Sequence, residues 1–437
     1  MSFLEPAFVY FLLLFFPVYF LLNATRPASA DPFVALASFL FAAWYYPPFA
    51  AIIVLQMLVI HGAHARRLGL PLAVTLVLLP LLVFKYSAFI ASGFGVALPP
   101  LPLPLGISFY SFTAVAVLVE MYRSHDVDAA YGPTSSLKIL TFWPHLASGP
   151  ILRPKHLWQP YVPTRDRDLK LALVLVIFGL FKKVVVADGA GTVAGRALEL
   201  GTANLSLLDV AYAAVAMSIQ IYGDFSGYSD MALGFAILIG VRLPANFNYP
   251  YLADSMRDFW RRWHISLTTW FRDYVYVPLG GSRRGPLRTY GHVLIVFLIS
   301  GLWHGAAMNF LLWGLLHGVL LVIENVTSFR SLPSAVRRTV VLPVIVASWL
   351  VFFLDTESLL ALLDPALLGR AANPDAFGPS VLLFAGLVLI EHLLPPYRVD
   401  HEGFPTVTRL GVLATPVVLV ATTLFWSEPL PFIYFAF

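Results

Sequence analysis

The sequence predicts an all-α protein that crosses a membrane many times, and both its composition and its hydropathy pattern support this fold class. Of the 437 residues, 59% are hydrophobic and only 12% are charged, whereas soluble globular domains are about 45–50% apolar and about 25% charged. The apolar residues stand in long unbroken runs, not in the alternating apolar and polar positions of a β-barrel. This composition excludes a water-soluble protein of this size, and its aromatic and aliphatic content excludes a disordered chain.

The hydrophobic runs set the expected number of helices. A helix that spans the bilayer needs about 20 mainly apolar residues, and about 11 to 13 segments approach this length. The runs 207–222 and 231–241 count separately, and the run 292–326 is long enough for one or two passes. Several other segments are too short to span, which predicts re-entrant or half-helices packed inside the protein. Because the sequence contains neither an internal repeat nor a soluble segment, we expect one membrane domain over residues 1–437.

The first run, 6–22, also has some features of a cleaved signal peptide. It is followed by Ala28-Ser29-Ala30, which is similar to a signal-peptidase site, but neither Lys nor Arg precedes it. The missing positive charge and the length of the run favour a retained first transmembrane helix.

The excess positive charge is concentrated in one window, Ser255–Gly291. It holds seven arginines and two aspartates, while the rest of the chain is nearly balanced. The positive-inside rule predicts that this window is cytoplasmic. Topogenic charge alone would explain it, and so would an anion site for a phosphorylated donor, because the Arg fork matches phosphate geometry. A second basic cluster, expected on the same side, contains Arg153, Lys155, Arg165, Arg167, Lys170, Lys182 and Lys183.

Two histidines stand in unusual surroundings. His264 lies in the stretch 257–274, where Arg and aromatic residues alternate at helical spacing and predict an amphipathic segment at the membrane interface. His304 lies inside an apolar run, where an ionisable side chain is costly and indicates function. A hydrogen bond to a neighbouring helix is the alternative role, although His is well suited to general-base catalysis near neutral pH. His317 would not share a face with His304 on one straight helix.

The stretch 220–231 is polar and glycine-rich and lies between two apolar runs. This pattern predicts a broken helix that lines a cavity. A short loop between spans and the ion site of a transporter are the alternatives.

The chain has no cysteine, so a thiolate nucleophile, a disulfide and a cysteine metal site are all excluded. Since no pair of histidines has convincing ligand spacing, we expect no metal, and nothing indicates nucleic-acid binding.

Seven phrases between residues 103 and 305 form the most specific signal. They are LPLGISFY at 103–110 with MYR at 121–123, FWPHLASGP at 142–150, GLFKK at 179–183, DFSGYSD at 224–230, NFNYPY at 246–251, FWRRWH at 259–264 and GLWHG at 301–305. Together they resemble the membrane-bound O-acyltransferase superfamily, in particular its bacterial alginate O-acetyltransferase branch. Beyond about residue 330 the chain matches no motif. Met308, Ser282 and His292 depart from the family pattern, which leaves the preference for donor and acceptor open.

The resemblance implies a ring of tilted transmembrane helices around a thinned centre, with a tunnel in which acyl donor and acceptor meet, and a motif-bearing core at about 103–325. It implies that His304 is the catalytic residue and that His264 is its companion. We expect the donor to be bound by residues of the charged window, and the tunnel to be lined by polar and aromatic residues. The expected donor-binding residues are Arg257, Arg262, Trp263, Arg272 and Asp273, and the expected tunnel residues are Trp303, Asp224, Ser226 and Asn309.

The expected reaction is acetyl transfer across the bacterial inner membrane. The donor would be acetyl-CoA or an acyl carrier with a phosphopantetheine arm. The acceptor would be a hydroxyl of an exported polysaccharide such as alginate, cellulose or peptidoglycan, or a periplasmic partner resembling an SGNH hydrolase; membrane lipid surrounds the protein. His304 would deprotonate the hydroxyl, or form an acyl-histidine, and His264 would orient the reactants or stabilise the oxyanion. A transporter or flippase with a His/Asp relay and a non-catalytic subunit of a polysaccharide-modifying complex are the alternatives.

Overall fold

The computed structural model describes residues 3–65, 67–123, 132–146, 149–157, 166–201, 204–373, 380–426 and 429–433, and these are mostly helical. Continuous runs of Leu, Phe, Val and Ala favour helices that are apolar on all sides. Several helices begin at a proline, including those at Pro6, Pro48 and Pro286. Proline suits this first position because its missing N–H would have no partner within the helix.

The chain divides into two compact units, and the first comprises residues 1–172 and 232–244. Its core is aromatic: the fully buried Trp143 ring packs against Phe8, Phe15 and Phe235. Lys138 and Asp31 form an ion pair of 2.8 Å. The helices of this unit are α1 (Pro6–Thr25), α2 (Pro27–Tyr45), α3 (Pro48–His64), α4 (Leu70–Leu81), which continues through a π-helical turn (Leu82–Tyr86) into α5 (Ser87–Gly93), α6 (Ile107–Arg123), α7 (Pro133–Thr141), α8 (Trp143–Leu146) and α9 (Pro154–Leu157).

The second unit comprises residues 173–231 and 245–437 and contains both motif histidines. Two of its helices, α10 and α12, extend into the residues of the first unit. Its helices are α10 (Leu169–Phe181), a π-helical segment (Lys182–Ala187), α11 (Asp188–Glu199), α12 (Leu207–Ile239), α13 (Met256–Arg262), α14 (Ile265–Phe271), a π-helical turn (Arg272–Tyr276), α15 (Pro286–His304), α16 (Met308–Val326), α17 (Ser334–Phe353), α18 (Thr356–Ala361), α19 (Ser380–Leu393) and α20 (Arg409–Leu424), with 3₁₀ turns at Pro250–Leu252, Ser328–Ser331 and Pro365–Gly369. Between α19 and α20, β1 (Tyr397–Val399) and β2 (Pro405–Val407) pair antiparallel, with Tyr397 opposite Val407.

The prediction of a polytopic α-helical membrane protein is confirmed. Among the described residues, six helices are long and apolar enough to cross a membrane, and three shorter apolar helices accompany them. The single domain expected over residues 1–437 stays a prediction. The six are Pro6–Thr25, Pro27–Trp44, Leu70–Gly93, Pro286–His304, Met308–Val326 and Ser334–Phe353, and the shorter ones are Pro48–His64, Val381–Leu393 and Arg409–Leu424.

The predicted break at 220–231 is wrong, because α12 runs through this stretch as one helix of 33 residues. The glycines that suggested a break are packing residues instead. A Cβ on Gly227 would contact the Gly179 carbonyl oxygen at 2.6 Å, and one on Gly223 would contact the Lys182 carbonyl oxygen at 3.1 Å. Small residues four apart let two backbones approach closely inside a membrane protein. The run 292–326, in contrast, is interrupted and forms α15 and α16.

Candidate active site

His264 stands at a corner between two short helices. Ser255 caps the first of them, α13, since its hydroxyl accepts a hydrogen bond from the Asp258 N–H at 3.0 Å. The chain then turns at His264, which has φ 43° and ψ 53° and immediately precedes α14. This left-handed conformation is rare for residues other than glycine, and His is among the residue types enriched there. The corner therefore sets the direction of the His264 side chain.

The imidazole of His264 is fully buried among aromatic rings. Its ring centroid lies 4.5 Å from that of Phe225, at nearly a right angle, and 5.8 Å from that of Trp303. Nδ1 lies 3.4 Å from the Asn246 side-chain oxygen, and Nε2 makes no hydrogen bond to any described residue. Burial lowers the pKa of His264 to about 3, since desolvation disfavours the charged form. The ring is consequently neutral at pH 7.

His304 is the last residue of α15, where the chain turns back into α16 through an extended Gly305. Its ring is almost fully buried and meets three others nearly at right angles. The centroid distances are 4.8 Å to Trp303, 5.1 Å to Trp313 and 5.3 Å to Phe352. Trp303 thus contacts both motif histidines and brings two distant phrases of the sequence together. We call His264, Trp303, His304, Trp313 and Phe352 the histidine pocket.

The two helices behind His304 are held close by glycine. A Cβ on Gly301 would collide with the Phe310 carbonyl oxygen, and one on Gly314 would collide with the Phe297 carbonyl oxygen. Asn309 donates its side-chain N–H to the Phe352 carbonyl oxygen at 3.0 Å and so ties α16 to α17. Asn309, expected to line the tunnel, therefore supports Phe352 on the wall of the histidine pocket.

His317 lies on α16, behind the pocket. It is fully buried, and its Nε2 lies 3.1 Å from the Ser348 hydroxyl of α17. The Trp313 ring contacts both His317, at 4.7 Å, and His304, at 5.1 Å. The hydrogen bond to Ser348 gives His317 the interhelical role that a buried histidine most often has.

The expected donor-binding residues lie on and around α13 and the π-helical turn after α14. The Arg257 guanidinium donates to the Asn325 side-chain oxygen at 2.5 Å, and Arg262 pairs with Asp258 at 2.9 Å. Arg272 pairs with its neighbour Asp273 at 2.6 Å, and this Arg side chain is exposed. A carboxylate beside a guanidinium fixes its direction while leaving other N–H groups for an anion.

Trp263 differs from the other expected donor-binding residues, because it is buried to 1% exposure. Its ring packs against Phe247 at 5.0 Å, Phe259 at 5.5 Å and Trp349 at 4.9 Å. It anchors the corner that carries His264. Ala147 and Ser148 of the motif at 142–150, and Arg165 of the second basic cluster, lie outside the described residues.

Asp224 and Ser226 lie on α12 and are both buried. Asp224 is fully engaged: one oxygen pairs with Lys183 at 2.8 Å, and the other accepts the Ile433 N–H at 2.7 Å. The hydroxyl of Ser226 makes no hydrogen bond to a described residue. Asp224 therefore belongs to an ionic cluster.

That cluster joins two neighbouring lysines to four acids. Lys183 pairs with Asp188 at 2.7 Å as well as with Asp224, and Lys182 pairs with Asp230 at 2.5 Å and Glu391 at 3.1 Å. The Tyr397 hydroxyl donates to Asp230 at 2.9 Å, and the Tyr222 hydroxyl donates to Glu391 at 3.2 Å. We call the charged members the carboxylate network: Lys182, Lys183, Asp188, Asp224, Asp230 and Glu391.

Sequence reasoning missed Glu391 and Tyr397, because both lie beyond the last matched motif. One signal was present, since Glu391 is an acid within the apolar helix α19 and such an acid requires a buried partner. Within the described residues, no group of three His, Asp or Glu side chains is placed to hold a metal ion.

Comparison with known proteins agrees with the resemblance of the motifs. The model of the membrane-bound O-acyltransferase family matches residues 75–363. A probable alginate O-acetylase of Azotobacter vinelandii is 36% identical over 351 residues, which are 75% of this chain and 70% of that protein. A peptidoglycan O-acetyltransferase of Helicobacter pylori is 33% identical over 74% of this chain and 70% of its own length. A teichoic acid D-alanyltransferase of Streptococcus thermophilus is 32% identical over 51% of this chain and 56% of its own length.

Proposed function

This chain belongs to the membrane-bound O-acyltransferase family and is a multi-pass membrane acyltransferase; from that premise we propose that it transfers an acetyl group from a cytoplasmic thioester to a hydroxyl on the far side of the bacterial inner membrane. The names of its relatives support the acetyl group and a polymer acceptor, since two of them are named as a probable alginate O-acetylase and as a peptidoglycan O-acetyltransferase. No observation favours a transporter over this enzyme.

The observation that carries the proposal is the pair of histidines on either side of Trp303. His304 is the general base: its ring nitrogen takes the proton of the attacking hydroxyl as the oxygen bonds to the thioester carbonyl carbon. The tetrahedral intermediate then collapses, the C–S bond breaks, and the imidazolium returns the proton to the thiolate. His264 orients the reactants or stabilises the oxyanion. General-base catalysis of this kind contributes about 10²–10⁴-fold.

Acetyl-CoA, or an acyl carrier with the same phosphopantetheine arm, is the proposed donor. Arg257 and Arg262 on α13, together with the Arg272–Asp273 pair, would hold its phosphates on the cytoplasmic side. Support comes from the concentration of arginine in this window and from its nearness in sequence to His264. Guanidinium groups bind phosphate through paired N–H donors.

The proposed acceptor is an exported polysaccharide of the alginate, cellulose or peptidoglycan type. It receives the acetyl group directly or through a periplasmic SGNH-hydrolase-like partner that carries it as a serine ester. In both routes the nucleophile is a hydroxyl. The chain itself has no cysteine on which an acyl group could be stored.

Transfer of labelled acetyl from acetyl-CoA by the purified protein tests the proposal. We expect the wild type to acetylate alginate oligosaccharides, peptidoglycan fragments or a co-purified partner, and His304→Gln to lose at least about 10²-fold of this rate. His317→Gln is the matched control, because His317 is an equally buried histidine on the adjacent helix. An active His304→Gln protein, or equal losses in both variants, would remove His304 from its assigned role.

A further inference from the structure

Asn246, which precedes the corner at His264 in sequence, holds this corner at several points. Its backbone oxygen accepts the Ile265 N–H at 2.9 Å. Its side-chain oxygen accepts the Ser266 hydroxyl at 2.7 Å and the Ser266 N–H at 3.3 Å, and it lies 3.4 Å from His264 Nδ1. Its amide N–H donates to the Ser229 hydroxyl on α12 at 3.2 Å. Both polar ends of this buried side chain are therefore used.

These contacts determine which ring nitrogen of His264 carries the proton. The Ser266 N–H can only donate, so the Asn246 atom that it meets is the oxygen and not the nitrogen of the amide. An amide oxygen only accepts, so His264 Nδ1 must donate to it. A neutral imidazole has a single N–H, and the opposite nitrogen, Nε2, is consequently a hydrogen-bond acceptor.

His264 Nε2 has nothing to accept from in the described protein. It is fully buried, next to Phe225 and Trp303, and forms no hydrogen bond to a described residue. A buried polar atom without a partner is costly, and such atoms indicate either a bound ligand or a catalytic role. The missing partner must be a donor.

We propose that Asn246 is a positioning residue that fixes His264 in the Nδ1-protonated tautomer, so that Nε2 accepts a hydrogen bond from an N–H or O–H group of the bound substrate. The inference rests on the proposed function, because it takes His264 to face the substrate. It decides between the two roles left open for His264: the ring orients a substrate and does not donate to the oxyanion.

The tautomer is measurable without any activity. Solid-state NMR of the protein labelled with ¹⁵N-histidine in lipid distinguishes protonated from unprotonated ring nitrogens, and subtraction of the His264→Gln spectrum assigns the His264 signals. We expect protonated Nδ1 and unprotonated Nε2 in the wild type. Protonation at Nε2 would overturn the inference while leaving acetyl transfer by the protein, and with it the proposed function, untouched.

Variants of Asn246 connect the tautomer to catalysis. Asn246→Leu removes the acceptor at similar volume, and we expect mixed tautomers and a fall of about tenfold in kcat/KM, the size of one lost hydrogen bond. Asn246→Asp keeps an acceptor for Nδ1 and should restore the tautomer and most of the rate. Ser266→Ala is the matched control, because it removes a shorter hydrogen bond to the same oxygen but leaves the contact with His264.

The kinetic constants identify the substrate group that Nε2 accepts from. If the group is an amide N–H of the pantetheine arm, Asn246→Leu raises the KM for the thioester; if it is a hydroxyl of the acceptor, the KM for the acceptor rises instead. Either result supports the proposal. A folded Asn246→Leu protein with unchanged tautomer and constants contradicts it, as does a loss in Ser266→Ala as large as that in Asn246→Leu.

Discussion

The histidine pocket and the carboxylate network lie in the same unit and both bury ionisable side chains, yet they treat them in opposite ways. In the network, Asp224 uses both oxygens and Lys182 and Lys183 each bind two acids. In the pocket, His264 keeps one nitrogen without a hydrogen bond to any described residue. Groups with all their partners in place stabilise a fold, whereas a group lacking one is available to a substrate. Burial alone does not distinguish the two regions. What does is that each charged group of the network has an oppositely charged partner, whereas His264 Nε2 has no partner among the described residues.

Removing a lysine from the network tests the structural side of this contrast with the largest effect on stability. Lys183→Met leaves Asp188 and Asp224 buried without their cation, and breaking such a pair costs about 3–5 kcal/mol. We expect a large fall in the thermal unfolding midpoint in detergent, and an unchanged rate of acetyl transfer per folded molecule. Lys170→Met, at an exposed lysine of α10, is the control. A fully stable Lys183→Met protein with no activity would place the network in the chemistry.

Adding a methyl group where α15 contacts α16 behind His304 tests whether the close approach of these two helices maintains the histidine pocket. Gly301→Ala introduces a methyl group against the Phe310 carbonyl oxygen, and overpacking of this kind costs about 1–3 kcal/mol. Because Gly301 lies one helical turn before His304, we expect the transfer rate to fall as well. Gly291→Ala on the same helix meets nothing within 4 Å and should leave both quantities unchanged. Equal behaviour of the two variants would show that the spacing of α15 and α16 does not control the pocket.

Variants of the α13 arginines test whether positive charge outside the histidine pocket and the carboxylate network binds the thioester donor. Arg257→Gln with Arg262→Gln should raise the KM for the thioester by about 30-fold, because each lost charged contact costs about 1 kcal/mol and 1.36 kcal/mol corresponds to about tenfold. The change in kcat should be smaller. Steady-state kinetics at varied acetyl-CoA measures both constants. Arg338→Gln, an exposed arginine of α17, controls for general charge. An unchanged KM in the double variant would leave these residues with a topogenic role only.

An ion pair at the surface gives the smallest expected effect and the only one that depends on pH. Partial burial raises the pKa of Asp254, but hydrogen bonds from Ser334 and Arg337 outweigh it and hold the pKa below its ordinary value. A depressed carboxyl pKa contributes stability above the ordinary pKa of Asp, about 4, and this stability is lost as pH falls through the lower folded value. Asp254→Asn should therefore lower the free energy of unfolding slightly at pH 7, by about 1 kcal/mol or less, and the difference from the wild type should shrink towards pH 3. A difference independent of pH would show that the carboxylate charge is not responsible.

The sequence was sufficient for the fold class, since apolar runs in so weakly charged a chain admit few alternatives. Only the resemblance of the motifs associated His264 with His304, since 40 residues separate them. No local sequence pattern specifies the contacts that both rings make with Trp303. The helix break predicted at 220–231 was wrong because local propensity treats Gly223 and Gly227 as helix breakers. In the structure these glycines allow close packing with the Gly179–Lys183 segment. Glu391 was missed because its importance comes from a lysine 209 residues earlier in the chain.

The left-handed backbone at position 264 restricts which amino acids evolution can sample there. Every residue with a Cβ is disfavoured at φ 43°, β-branched residues most and asparagine least, whereas glycine, which has no Cβ, adopts this conformation readily. A substitution at His264 must therefore first be compatible with the left-handed backbone, and only then does its acid–base character matter. In a saturation library selected for folding alone, we expect asparagine, aspartate and glycine to be recovered and valine, isoleucine and threonine to be absent. The backbone of this corner therefore limits position 264 to a few amino acid types during evolution.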